Sequence, residues 1–316
     1  MNLPLVARLL GIVAWLIGAT MIFSLPWAFP AMGAGQDQFE RRGFWALIAS
    51  MALCGMTGWA LRHYGRNARE ALFRKEARAV VGLSWVLATV LGALPFYLAD
   101  VGYREANDEV IAMGVADCLF ESQSGFSTTG ATVMTQIENQ AWVPRCILFW
   151  RSSTHFLGGL GIIVLFVAVL GQGSAGKALM RAEMPGPSKE GSQERMQHTA
   201  WVFTGIYVGL NAVLAVILKL ESPWAANGVT WFEALCHAFG AMATGGFSTM
   251  DASLGGFHSR AIEYTVIVFM VLAGSNFTLL YFALIGRPYR LWRDVEWRTY
   301  AICIVAVTLA ITVVEF

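Results

Sequence analysis

Long apolar stretches separated by polar connections run through the whole chain and define its architecture. A helix needs about 20 mostly apolar residues to cross a bilayer. Stretches of this kind lie at roughly 9–31, 43–62, 79–99, 146–171, 199–219 and 261–285, and a seventh begins near Arg298 and is still apolar at Phe316. The pattern therefore predicts an all-α polytopic membrane protein.

The distribution of Lys and Arg predicts how these helices cross the membrane. Basic residues concentrate in the connections 62–78, 172–198 and 286–298, whereas the longer connections 100–145 and 220–260 are poorer in them. Because basic loops remain on the cytoplasmic side, we expect the first three connections and the N-terminus to be cytoplasmic. The other two connections are expected to face outward.

Two shorter apolar segments, 113–126 and 230–243, fit this topology only if each enters the membrane and returns to the same side. Counting either one as a full span would place a basic connection outside. Each segment is followed by a polar loop and then by a long apolar helix. The unit of span, re-entrant helix, loop and span occurs at about 79–171 and again at about 199–285, and both copies run in the same direction. It is therefore a parallel repeat.

The repeat divides the chain into four predicted segments. The connection at 172–198, which is rich in glycine and proline, is the clearest internal boundary. The segments are an N-terminal transmembrane hairpin (1–66), a first helix–pore loop–helix repeat (67–178), a second such repeat (179–290) and the start of a third (291–316).

The two polar loops match each other in sequence without a gap. The first reads Gly-Phe-Ser-Thr-Thr-Gly-Ala-Thr at 125–132, and the second reads Gly-Ala-Met-Ala-Thr-Gly-Gly-Phe at 240–247. Identical residues recur 115 positions apart: Gly125 with Gly240, Thr129 with Thr244, Gly130 with Gly245 and, farther on, Gly159 with Gly274. The match indicates that the two loops share one role.

Extended, glycine-containing backbone at membrane depth suits a dehydrated cation. Backbone groups in lipid must be satisfied within the protein unless they line a cavity, and a cation can take the place of the missing hydrogen-bond donors. Each short helix points its partially negative C-terminal end at its loop. Neither loop contains a carboxylate, so the field favours a monovalent ion over Ca²⁺ or Mg²⁺. The loops therefore predict an ion pathway.

Composition narrows the competing functions. The chain is 56% hydrophobic and 14% charged with a net charge of +1, so a lipid bilayer is its expected surrounding and a nucleic-acid partner is not expected. Glycine and threonine also serve plain helix packing. A secondary carrier for a small organic solute is the alternative function, although such carriers usually have inverted repeats or charged midplane residues. An enzyme is not expected, because no catalytic motif appears and the five histidines are scattered.

Both loops, with the helices that follow them, resemble a known family. The segment Phe-Glu-Ser-Gln-Ser-Gly-Phe-Ser-Thr-Thr-Gly-Ala-Thr at 120–132 resembles the first pore loop of the Trk/Ktr/HKT potassium transporters. The segment His-Ala-Phe-Gly-Ala-Met-Ala-Thr-Gly-Gly-Phe-Ser-Thr at 237–249 is similar to the second pore loop of the bacterial TrkH branch, and 156–162 and 273–277 resemble the helices after the loops. The resemblance extends over nearly the whole chain and includes the N-terminal hairpin.

The resemblance implies potassium uptake through a backbone-carbonyl filter in the bacterial inner membrane. Four helix–loop–helix repeats would surround one pseudo-fourfold pore, with K⁺ as the transported ion and without a cofactor. It also implies a cytoplasmic nucleotide-binding gating subunit of the TrkA type and a homodimer. K⁺ would contact the backbone carbonyls of Thr128, Thr129, Ala243 and Thr244. The ion-binding filter would comprise Ser127, Thr128, Thr129, Gly130, Met242, Ala243, Thr244 and Gly245.

Only two of the four units that the resemblance implies are complete in this sequence. Half a filter cannot surround a cation, so we expect either that the chain is a fragment or that two chains complete the ring. The apolar stretch that is still running at Phe316 favours a fragment.

Polar residues within the apolar stretches have competing interpretations. Arg151 is either an interfacial side chain that extends toward the lipid headgroups or an ion-pair partner of Glu121 or Asp117. His155 is expected to be a packing or hydrogen-bonding residue and not a metal ligand. His237 is expected to hydrogen-bond to the backbone of the protein scaffold.

Overall fold

The computed structural model describes residues 2–32, 38–68, 74–104, 110–161 and 193–315. Within these ranges the chain is mostly helical. The helices are α1 (Leu3–Met21), α2 (Arg41–Tyr64), α3 (Arg74–Leu98), α4 (Val115–Phe126), α5 (Arg145–Leu160), α6 (Gln193–Leu220), α7 (Trp231–Met242), α8 (Arg260–Ala273), α9 (Phe277–Leu284), α10 (Tyr289–Arg293) and α11 (Val295–Glu315). Two strands, β1 (Gly102–Arg104) and β2 (Val110–Ala112), pair between α3 and α4.

Among the described residues, five helices are long and apolar enough to cross a membrane. They are Leu3–Ala28, in which a 3₁₀ turn extends α1, Arg41–Tyr64, Lys75–Leu98, Trp201–Leu220 and Val295–Val314. The prediction of an all-α polytopic membrane protein is therefore confirmed. The predicted span at 146–171 is described only as far as Gly161, and most of the connection 172–198 also lies outside the described residues.

The two segments that are predicted to be re-entrant form short helices, α4 and α7, of 12 residues each. At 1.5 Å per residue such a helix is about 18 Å long, well short of the roughly 30 Å hydrocarbon core. Each begins with a capping side chain. The Asp117 carboxylate accepts from the Gly114 N–H (2.8 Å) at α4, and the Thr230 hydroxyl accepts from the Glu233 N–H (3.3 Å) at α7. At the start of each helix, one of the backbone N–H groups that lack a partner within the helix is therefore hydrogen-bonded.

The prediction of one continuous helix over 261–285 is wrong. The segment consists of α8 and α9, of 14 and 8 residues, with a break between them. Helix α11 packs against this break. A Cβ on Gly274 would collide with the Tyr300 hydroxyl, and the Asn276 amide donates to Glu296 Oε2 (3.3 Å). Hydropathy records only composition, so it does not reveal that another helix interrupts this one.

The small sheet is an addition that the helical pattern does not predict. In it Gly102 lies opposite Ala112 and Tyr103 lies opposite Ile111, in antiparallel register. The Gly102 N–H also donates to the Trp142 carbonyl (3.2 Å), so the sheet ties the connection after α3 to the segment before α5. Three-residue strands offer too short an alternation of polar and apolar residues to be recognised in a sequence.

Small residues allow α1 and α2 to approach each other closely. A Cβ on Gly58 would collide with the Trp15 indole, and a Cβ on Gly18 would come within 2.8 Å of Cys54 Cβ. The Trp15 indole N–H also donates to the Gly55 carbonyl (3.1 Å) across the pair. Close backbone approach at small residues is how helices associate in lipid, where the hydrophobic effect does not drive them together.

Glu40, which precedes α2, attaches this helix pair to the first repeat. Its carboxylate accepts the N–H groups of Arg145 (2.7 Å) and Cys146 (3.1 Å), the first two residues of α5. The first amides of a helix have no partners within it, and the helix dipole also favours a negative charge at that end. Glu40 therefore fixes the point at which α5 begins.

Glu40→Ala is expected to lower the free energy of unfolding by about 1 kcal/mol, the typical cost of removing a helix N-cap. Glu40→Gln keeps one hydrogen-bonding oxygen and should lose less. Thermal unfolding of the detergent-solubilised protein measures the difference, with Gln38→Ala at an exposed neighbouring position as the control. Equal stability of the Glu40→Ala and Gln38→Ala variants would contradict the capping role.

Candidate functional site

The two polar loops leave their helices through the same backbone turn. Three hydrogen bonds close each turn, and equivalent partners are 116 positions apart. The N–H groups of Ser127, Thr128 and Thr129 donate to the carbonyls of Gln123, Gly125 and Ser124, and those of Ala243, Thr244 and Gly245 donate to Phe239, Ala241 and Gly240. The last two bonds of each set form a Schellman motif, a common C-terminal cap of helices.

A threonine occupies the position in this cap at which glycine is usual. Thr128 has a φ of +54° and Thr244 has a φ of +53°, both in the left-handed region. This conformation costs an L-residue roughly 1–2 kcal/mol, and strain of this kind persists only where the surrounding structure maintains it. Because strained backbone clusters at binding sites and switches, the two turns are the candidate functional site.

The backbone pairs the loops one residue differently from the ungapped sequence match. Thr128 corresponds to Thr244, and the next positive φ belongs to Gly130 (+75°) in the first loop and to Gly246 (+97°) in the second. The predicted pairing of Gly130 with Gly245 is therefore wrong for the loop backbone. Helices α5 and α8 begin 115 positions apart, so the connections between loop and helix absorb the extra residue.

The predicted filter residues fall into four structural groups. Met242 is the buried last residue of α7, Ser127 and Ala243 are helix C-caps, Thr128 and Thr244 are the strained turn residues, and Thr129, Gly130 and Gly245 begin the extended segments. The two loops lie side by side, since a Cβ on Gly130 would collide with the Gly245 carbonyl oxygen. Ser127, Thr129 and Thr244 are exposed. The site therefore presents polar groups and backbone from two repeats to one open surface.

A buried side chain on each short helix holds the far end of its loop. Glu121 on α4 accepts from the Thr132 hydroxyl (2.8 Å) and from the Val133 N–H (3.2 Å). His237, 116 positions later on α7, lies 3.0 Å from the Ser248 hydroxyl through Nε2, and its Nδ1 lies 2.8 Å from the carbonyl four residues earlier. The prediction that His237 hydrogen-bonds within the scaffold is confirmed. One repeat uses a carboxylate for this anchor and the other uses an imidazole.

Arg151 on α5 connects the two loops, which decides between its two interpretations. Its side chain is 1% exposed, and Nε lies 2.6 Å from Oε1 of Glu121, which is fully buried. Nη1 donates to the carbonyl of Ser248 in the second loop (3.1 Å). The predicted ion pair with Glu121 is confirmed, and the interfacial placement is wrong. Asp117, the other suggested partner, caps α4 instead.

Phe247 is a site residue to which the sequence gives no role. The guanidinium of Arg151 lies 3.6 Å from its ring centroid, and the His155 ring stacks on it at 4.0 Å with 6° between the ring planes. His155 also hydrogen-bonds to the backbone of α4 at Gly125 and of the second loop at Phe247, which confirms its predicted hydrogen-bonding role. In the structural pairing Phe247 corresponds to Ala131. An aromatic residue with no aromatic counterpart is the signal that could have revealed it.

Helix α8 carries different side chains at the positions that correspond to Arg151 and His155. These positions, 115 residues later, are Val266 and Met270. Both line a cavity beside the second loop, together with Gly246 and other residues of that loop. The two helices that follow the loops therefore differ in chemistry at equivalent places.

Arg151→Met is expected to destabilise the folded protein by about 3–5 kcal/mol, because it leaves the Glu121 carboxylate buried without a counter-charge. Adding Glu121→Gln removes that charge and should recover part of the loss. Thermal unfolding in detergent measures both variants. Ser153→Ala on the same helix is the matched control, since the Ser153 hydroxyl bonds only to its own helix at Phe149. Losses that simply add in the double variant would contradict the pairing.

Comparison with known proteins identifies relatives over most of the chain. The family model for TrkH, described as a cation transport protein, matches residues 41–316. The Trk system potassium uptake protein TrkH of Escherichia coli (strain K12) is 36% identical over 95% of this chain and 57% of its own length. The Halomonas elongata protein of the same name is 34% identical over 90% of this chain and 54% of its own length.

A solved structure agrees with these matches. The crystal structure of the potassium transporter TrkH from Vibrio parahaemolyticus has a TM-score of 0.76 and 30% sequence identity, covering 98% of this chain and 58% of that one. The chain thus spans a little over half the length of these relatives. The resemblance found in the loops is confirmed, and the chain belongs to the TrkH family of cation transport proteins.

Proposed function

We propose that this chain supplies pore loops to a potassium uptake pathway across the bacterial inner membrane. The observation that carries the proposal is the pair of strained turns that bring extended backbone from two repeats together, with Gly130 against the Gly245 carbonyl. The relatives in Escherichia coli and Halomonas elongata are potassium uptake proteins, which supports K⁺ as the ion.

Backbone dipoles supply the negative potential of the proposed site. Helices α4 and α7 both end at their loops, so their partially negative C-terminal ends adjoin the ion path. The loop segments 127–132 and 243–248 contain no carboxylate, and the buried Glu121 is paired with Arg151. Neutral oxygens can replace the hydration shell of a monovalent ion while still allowing it to leave.

The proposed ion contacts are the backbone carbonyls of Thr128, Thr129, Ala243 and Thr244. The shared backbone turn supports one extension of this set. Gly245 occupies the same place in the second turn as Thr129 in the first, so its carbonyl is added to the proposed contacts. The hydroxyl groups of Ser127 and Thr129 lie 2.8 Å apart and provide further neutral oxygens.

Two loops present oxygens to an ion from only two sides. A full coordination shell needs oxygens from the other sides as well. In the proposed pathway these come from further pore loops around a pseudo-fourfold axis, within the complete product of the gene. A second copy of the chain is the alternative source.

The proposed transporter works with a cytoplasmic nucleotide-binding subunit of the TrkA type and forms a homodimer. The relatives are named as proteins of a Trk system, which supports an assembly of more than one component. The predicted cytoplasmic connection 286–298 exposes Arg287, Arg293 and Arg298 and would offer such a subunit a basic surface.

Gly130→Asp is expected to abolish Rb⁺ uptake while the protein still reaches the membrane. The new side chain would collide with the Gly245 carbonyl. The residue would also have to adopt a backbone conformation that suits glycine. Its carboxylate would add a full negative charge to an ion path that is otherwise formed by neutral dipoles. Radioactive Rb⁺ uptake is measured in a bacterial strain without K⁺ uptake systems of its own, expressing the complete gene product.

Gly82→Ala is the matched control for this experiment, because a Cβ at Gly82 on α3 meets nothing within 4 Å. It should retain Rb⁺ uptake. Uptake that persists in Gly130→Asp, at an equal amount of protein in the membrane, would reject the filter assignment. A carrier for an organic solute would show no Rb⁺ uptake in the unmodified protein.

A further inference from the structure

Helix α5 carries two buried side chains, each of which contacts both pore-loop units. Arg151 and His155 are 1% and 0% exposed. They are four residues apart, so they lie one above the other on the same face of the helix. No pathway for an ion runs through them, since both are enclosed by protein. Their contacts therefore bear on how the loops are placed.

His155 links the backbones of the two units through one ring. Its Nδ1 lies 2.9 Å from the Gly125 carbonyl in the last turn of α4, and its Nε2 lies 3.3 Å from the Phe247 N–H in the second loop. A carbonyl can only accept and an N–H can only donate, so Nδ1 carries the proton and Nε2 accepts. A neutral imidazole in this tautomer is a rigid spacer between the two units.

The same ring limits how closely the second loop can approach. A Cβ on Gly245 would collide with the His155 ring, so the ring edge packs directly against this position. The face of the ring stacks on Phe247 at 4.0 Å. Gly245 is also the residue whose carbonyl faces Gly130 across the two loops. Any change in the size or tilt of the ring is therefore transmitted to the junction between the loops.

Arg151 makes a second link between the same units. Its guanidinium joins the Glu121 carboxylate, which holds Thr132 of the first loop, to the carbonyl of Ser248 in the second. Charge-assisted hydrogen bonds of this kind are stronger than neutral ones. The two links lie on one helix, so α5 determines both the distance between the loops and their offset along the helix axis.

We propose that Arg151 and His155 are positioning residues that fix the spacing of the two pore loops and thereby set the preference for K⁺ over Na⁺. The inference rests on the proposed function. Selectivity between these ions depends on the size of the coordination cavity and on the number and field of its oxygens. A clamp on the distance between the loops acts on both quantities without touching the ion.

Three substitutions at His155 separate the contributions of its contacts. His155→Phe keeps the ring and removes both hydrogen bonds. The His155→Asn amide can take the place of Nδ1 and keep the link to Gly125. The His155→Gln amide can take the place of Nε2 and keep the link to Phe247. Ser153→Ala is the control, because the Ser153 hydroxyl bonds only within α5.

The readout is the ratio of Rb⁺ to Na⁺ uptake by the complete gene product, measured in parallel with the maximal Rb⁺ uptake rate. His155→Phe is expected to lower the ratio about tenfold, which corresponds to 1.4 kcal/mol. The Asn and Gln variants should fall between it and the unmodified protein, and Ser153→Ala should match the unmodified protein. A merely structural role would lower the rate and leave the ratio unchanged, and that result in His155→Phe would overturn the proposal.

A second measurement applies where His155→Phe has no measurable uptake. Ions that bind only the folded protein stabilise it, so thermal unfolding of the purified protein is compared in K⁺ and in Na⁺. The variant is expected to lose the extra stabilisation by K⁺, whereas Ser153→Ala keeps it. If His155→Phe retains that difference, the positioning role is rejected. If the unmodified protein shows neither Rb⁺ uptake nor stabilisation by K⁺, the proposed function itself fails.

Discussion

Bare backbone inside a bilayer must be held in place by other parts of the protein, and the rest of this structure follows from that constraint. An extended segment at membrane depth cannot pair its own polar groups, and lipid offers no partners. Here α5 supplies the support, since Arg151 and His155 fasten backbone atoms of both repeats. Glu40 in turn caps the start of α5, so the N-terminal hairpin contributes to the geometry of the loops.

Strain and support occur together at the site. Thr128 and Thr244 adopt a left-handed conformation that glycine would adopt at lower cost. A threonine in this position increases the backbone strain relative to glycine, but it supplies a hydroxyl group and a stiffer chain. Glu121, Arg151 and His155 are buried and hydrogen-bond to Thr132, Ser248 and Gly125, which flank the strained turns. The surrounding network maintains a backbone conformation that the local sequence alone would not favour.

The sequence predicts features that depend on composition and length. Apolar length is sufficient to separate the long helices that can span a membrane from the short helices α4 and α7. Features that depend on contacts between distant residues were either not predicted or, like the partner of Arg151, predicted only as one of several alternatives. To predict the break between α8 and α9, one would need to know that Tyr300 packs against Gly274. To choose between Glu121 and Asp117 as the partner of Arg151, one needs the distances between the side chains. The one-residue shift between the loops can be found only from backbone geometry, because the wrong register aligns more identical glycines and threonines than the structural register does.

The unlike chemistry of α5 and α8 has a consequence for how such a molecule can evolve and be engineered. Repeats that arose from one ancestor could in principle be permuted or replaced by one another. In this chain the surface that receives Phe247 is built from an arginine and a histidine, whereas its counterpart offers Val266 and Met270. The contact surface between repeats therefore differs from one pair of repeats to the next. In a chimera made from two copies of the same repeat, the side chains at this contact would not be complementary. The side chains between the repeats thus determine the order in which the repeats pack around the axis.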